Sequence, residues 1–250
     1  MSKSYVRSDD GATMVEVEPH QYVNAKILRL QGRLTDGQKD GETTAASARR
    51  SGALGPSMSE VNQEELVAGR TALERWQTPA AFIAKVEELG ERVKSDKLFN
   101  LTMVKFLLDA MVLAEFVKFR PTENVRLVEQ KERWPDGQTG TPQNPIDIEI
   151  TEVLEEGRRR GDEYRNHQQP RDGTAEDCRK RALAIPEQLE KAIKRKIRKG
   201  YARKCVLVIY LNMGNYELLQ KEVEAAIGKI KAKYADDFHE VCILWQGKLL

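Results

Sequence analysis

The chain has 250 residues, of which 40% are hydrophobic and 32% charged, so it can bury a core beneath a densely charged surface. Lys and Arg total 41 against 39 Asp and Glu, a net charge of +2, which excludes a bulk attraction to polyanions and leaves any such attraction to local clusters. The opening, MSKSYVRSDDGATM, has no apolar stretch of the signal-peptide kind. Cys178, Cys205 and Cys242 are widely spaced, which predicts reduced structural thiols and a cytoplasmic protein.

Residues 1–58 show little periodicity. VEVEPHQYV suits a short strand, and the Gly-, Ser-, Thr- and charge-rich run that follows predicts a largely disordered segment. Residues 59–120 predict a helical layer. One helix covers SEVNQEELVAGRTALERWQ. A second follows Thr78 as N-cap and Pro79 at the first helical position, with Phe82, Ile83, Val86, Leu89 and Val93 on one face. A third spans 98–119. It is the most apolar stretch of the chain, but Lys105, Asp109, Glu115 and Lys118 interrupt it, so it predicts a buried helix and no membrane span. Within it, Asp109 invites either pairing with Lys105 or a supporting acidic role.

Residues 121–250 predict a mixed α/β core. NVRLVEQ (124–130) suits a strand, and ERWPDGQTGTPQNP has turn chemistry. IDIEITEVL (146–154) alternates, with Ile146, Ile148 and Ile150 on one face and Asp147, Glu149 and Thr151 on the other. Helices follow at about 174–184 and 187–199, split by Pro186 and ended by Gly200. CVLVIYL (205–211), an amphipathic helix (216–235) and EVCILW (240–245) form a β-α-β unit, for which a right-handed parallel pair is expected. The fold class expected is α/β: a mixed β-sheet with helices on both faces, antiparallel at its start and parallel at its end.

Two charged constellations stand out. The acidic one comprises Asp136, in a Trp-Pro-Asp turn, and Glu149 on the alternating strand; oxygen ligands of this kind suit Mg²⁺ or Mn²⁺. A solvated strand face is the competing reading. The basic one comprises Arg158, Arg159 and Arg160, with Lys194 and its neighbours on the helix ending near 199. Arginine binds phosphate bidentately and such clusters attract nucleic acid, whereas ion pairing with nearby carboxylates or a wet helix face would explain them otherwise.

With Pro135-Asp136 in the turn and Glu149-Ile150-Thr151 on the next strand, followed by a helix and a buried strand, the chain resembles the PD-(D/E)XK nucleases, the restriction-endonuclease-like fold. The resemblance spans roughly 98–245 in element order. The stretch EITEVLEEGRRRGDEYR also resembles uncharacterised bacterial proteins with a Glu-x-Thr-Glu…Gly-Arg-Arg-Arg-Gly segment. The resemblance implies metal-dependent hydrolysis of nucleic acid, with Asp136 and Glu149 on Mg²⁺ or Mn²⁺. Thr151 stands where the family carries its lysine. Either a lysine from another element substitutes, for which Lys196 beside the buried stripe of its helix is the candidate, or the domain is an inactive binding or interaction module. Glu152 would enter the same site if the strand bulged. Trp134 invites either stacking on a base or packing on its own hairpin.

Overall fold

The structure is a computed structural model and describes residues 4–7, 14–17, 62–93, 105–129, 131–132, 134–158, 175–200, 205–213 and 219–250. Two short strands, β1 (Ser4–Arg7) and β2 (Met14–Val17), pair antiparallel in a separate ribbon. The disorder expected of the rest of 1–58 falls outside the described residues, as do Arg159 and Arg160.

Three helices come next: α1 (Gln63–Leu73), α2 (Pro79–Arg92) and α3 (Lys105–Phe119). Asn62 and Glu65 close a reciprocal capping box on α1, each side chain taking the other's backbone N–H at 2.9 Å. Thr78 caps α2 ahead of Pro79, as expected. Among the described residues no helix is long and apolar enough to cross a membrane.

The main sheet has six strands in chain order: β3 (Asn124–Leu127), β4 (Gly137–Thr141), β5 (Asn144–Val153), β6 (Cys205–Leu211), β7 (Glu240–Trp245) and β8 (Lys248–Leu249). β3, β4 and β5 are antiparallel neighbours, β5–β6 and β6–β7 are parallel, and β8 returns antiparallel. Between β5 and β6 lies α4 (Ala175–Arg198), and between β6 and β7 lies α5 (Gln220–Lys233). The expected mixed sheet with a parallel β-α-β end is present.

Strand parity divides the core. Val206, Val208 and Tyr210 of β6 join Ile148 and Ile150 of β5 against α1, α2 and α3. Leu207, Ile209 and Leu211 join Val153 against α4 and α5 on the other side. Helices therefore cover both faces, each burying an alternate set of residues.

Several expectations need correction. The strand expected at 124–130 ends at Leu127. The segment read as turn contains β4, GQTGT, whose residues supply no large apolar side chain; it is held by ladders on both sides, with Gly137 and Thr139 buried. Gly137 leaves room for α3 there: an added Cβ would stand 2.6 Å from a methyl of Leu113, which would have to shift. Pro186 does not split its region: α4 runs through it, because Ala182, Ile185, Leu189 and Ile193 form one buried stripe across the proline. β8 follows β7 through Gln246-Gly247, both at positive φ, the geometry of a tight primed hairpin turn.

On the surface between α4 and α5, Glu190 accepts from Lys233 Nζ at 2.6 Å and from the Tyr234 hydroxyl at 2.8 Å, with Lys194 Nζ at 3.0 Å. The three donors hold its carboxyl down at about 2, the Lys233 bond first.

Candidate active-site cleft

The site begins where β4 and β5 part. Their pairing ends at Gly137 opposite Ile148, and the Asp136 N–H still donates to the Ile148 carbonyl at 3.1 Å. Pro135 comes next and has no N–H to offer, so the backbone ladder stops. Two side chains then take over the peptide groups of Ile150. Its N–H donates to Asp136 Oδ2 at 2.7 Å, and its carbonyl accepts from Lys196 Nζ at 2.7 Å. Lys196 Nζ also donates to Glu149 Oε1.

These residues line a cleft of about 440 Å³. Glu149, Thr151 and Lys196 are only 4%, 7% and 7% exposed. The strand face bearing Glu149 and Thr151 is therefore no wet surface at that point; α4 covers it. Arg195 reaches Thr151 Oγ1 at 3.3 Å. From the opposite side α3 contributes Lys105, Leu108, Asp109, Met111 and Val112, and Ile150, Glu152, Tyr210 and Lys199 complete the lining. Among the described residues, four cationic and four anionic side chains thus share the cleft.

The carboxylates strain against one another. Burial, reinforced by the Asp136 carboxylate, pushes Glu149 up to about 7 despite the pull of Lys196. Burial and Asp136 likewise push Asp109 up to about 7, with Lys105 pulling the other way. A divalent cation between Asp136 and Glu149 would relieve that repulsion. Among the described residues no group of three or more His, Cys, Asp and Glu side chains is set to hold a metal. Two carboxylates, Asp136 and Glu149, and the Ile150 carbonyl still make an all-oxygen donor set, the kind Mg²⁺ and Mn²⁺ take with water and phosphate completing the shell. The donor chemistry suits such an ion, while the Lys196 ammonium now sits on Glu149 Oε1 and the Ile150 carbonyl, two of those oxygens.

Asp136, Glu149, Thr151 and Lys196, singled out from sequence, therefore converge. The two basic candidates among the described residues, Lys194 and Arg158, do not join them. Lys194 is outside the cleft lining and pairs with Glu190. Arg158 donates to the Asn212 carbonyl at 3.3 Å, also outside the lining. Among the described residues the cations at the cleft are Lys105, Arg195, Lys196 and Lys199. Glu152 lines it from a regular strand and accepts from Asn212 Nδ2 at 3.1 Å, with no bulge needed. Trp134 packs against the α4–α5 side of the core. Asp109 and Lys105 both face the cleft, and a signal for them existed: in an otherwise apolar helix, charges four apart share one face. Cys178, Cys205 and Cys242 are buried free thiols.

Compared with family models, curated proteins and solved structures, the chain matches none.

Proposed function

We propose that this protein is a metal-dependent phosphodiesterase acting on nucleic acid, with a restriction-endonuclease-like core. The observation that carries the reading is the convergence of Asp136, Glu149 and Lys196 in one cleft where the sheet parts. Asp136 and Glu149 would hold Mg²⁺ or Mn²⁺. When bound, such an ion supplies a more acidic water and neutralises charge on phosphate. Asp136 fixes the Ile150 peptide and so sets the direction in which the Glu149 carboxylate points. Lys196, arriving from α4 instead of β5, stands in for the lysine that Thr151 replaces: its ammonium would move from Glu149 toward a phosphate oxygen and stabilise charge developing there. Arg195 and Lys199 at the mouth would hold the flanking backbone by phosphate contacts. Buried free thiols suit a reducing compartment such as the cytoplasm.

Calorimetric titration with Mn²⁺ tests the reading. Saturable binding is expected in the wild type, lost in both Asp136→Ala and Glu149→Ala, together with Mn²⁺-dependent cleavage of DNA or RNA. Binding indifferent to both substitutions sinks the proposal.

One observation favours a second reading, a catalytically inactive domain that binds nucleic acid or a protein partner. Lys196 already satisfies Glu149 and the Ile150 carbonyl, so the cleft is chemically closed without an ion. Oligonucleotide or partner binding with no Mn²⁺ binding would select it.

A further inference from the structure

The cleft has one polar wall and one mixed wall. The first presents Asp136, Glu149 and Lys196; the second, on α3, carries Lys105 and Asp109 beside an apolar strip of Leu108, Met111 and Val112, which Tyr210 extends from the sheet. On α3, Leu107, Ala110 and Leu113 are fully enclosed, while Met111 and Val112 on the cleft side keep a little exposure. A ligand that matches both walls carries an anionic group at one end and a flat, weakly polar body at the other. A nucleotide unit has that form, and base faces stack or pack on such surfaces whatever the sequence.

The size of the cleft sets the strandedness. About 440 Å³ lies in the range of sites that take one small molecule. Glu149 and Lys196 lie at its bottom, 4% and 7% exposed, so a phosphate reaches them only by entering. A base inside a duplex cannot follow its phosphate inward without leaving the stack. Resting on the phosphodiesterase reading, we propose that the cleft takes one unpaired nucleotide of a single strand, its base on the Leu108–Met111–Val112–Tyr210 wall and its neighbouring phosphates on Lys105, Arg195 and Lys199.

The test is fluorescence anisotropy on the full chain with Ca²⁺ in place of Mn²⁺. The probes are a labelled mixed-sequence DNA strand, the same strand annealed to its complement, and a strand of equal length with abasic sites. Single-strand binding about tenfold tighter than duplex or abasic binding is expected. Leu108→Ala, a partly exposed position, should erase most of that advantage, and Lys199→Glu, at an exposed position, should weaken single-strand binding and flatten its salt dependence. Mn²⁺ binding accompanied by equal or tighter duplex binding, or by indifference to the bases, overturns this inference and leaves the phosphodiesterase reading standing. Absence of Mn²⁺ binding removes that reading and this one with it.

Discussion

On either side of Ile148, β5 carries one pattern that meets opposite fates. Asp147 and Glu149 are alternate residues on the same face. At Asp147 the strand is still paired with β4, and the carboxylate is partly exposed. It accepts from Gln138 Nε2 at 2.8 Å, and Gln138 accepts in turn from Arg126, whose guanidinium lies 5.1 Å from the Trp76 ring centre. At Glu149 β4 has turned away, α4 lies overhead, and the carboxylate is enclosed with an ammonium. The residues of β5 do not explain the difference; what covers them does. An alternating acidic strand becomes chemistry only where a second element removes the water.

That comparison can be broken most forcefully at Lys196. Lys196→Met leaves Glu149 enclosed without its ammonium, a cost of about 3–5 kcal/mol near pH 8. The cost should shrink near pH 5, where Glu149 holds a proton, and Glu149→Gln in the same background should recover most of it; urea unfolding at both pH values measures this. Because the ammonium and a divalent ion compete for the same oxygens, Lys196→Met should also bind Mn²⁺ more tightly than the wild type while losing hydrolysis. Weaker Mn²⁺ binding would mean that Lys196 builds the ion site instead of filling it.

Asp109→Asn gives the next largest effect. With its carboxyl raised to about 7, the folded chain keeps a proton that the unfolded chain releases near its ordinary pKa of 3.8. Stability from this group therefore falls as pH rises from about 4 to about 7. Asparagine does not titrate, so the stability of the variant relative to the wild type should grow between pH 5 and pH 8 by on the order of 2 kcal/mol. Thermal melts at the two values decide it, and an equal shift at both would mean that the effect is packing.

Asp147→Asn should do least. On the solvated side it should change stability by no more than about 0.5 kcal/mol and leave Mn²⁺ affinity alone. An effect as large as that at Glu149 would erase the distinction between the two sides.

Much of this architecture is legible in the residues. The switch from helical to alternating period, the continuous apolar run at β6 and the Thr78-Pro79 start each encode an element locally. β4 is not legible, because GQTGT has strand form only through partners on both sides, and its Gly137 answers to Leu113 on a helix far away in sequence. Continuity of α4 through Pro186 is equally invisible, since the stripe that sustains it acts through tertiary burial. At the site, Asp136 and Glu149 follow from local pattern. Lys196 is one of several cations on its helix, and only its place three residues after Ile193 on the buried stripe sets it apart. Lys194 has similar chemistry two residues earlier and faces Glu190 instead.

The Glu190 junction has a consequence for how acid acts on this molecule. It moors the half of α4 that delivers Lys196 to the neighbouring helix, and its carboxyl stays charged down to about 2. Glu149 and Asp109 surrender their charge near 7. Between those limits the mooring outlasts the cargo: as pH falls through 7 the cleft carboxylates lose their charge while Glu190 keeps the charge that ties α4 to α5.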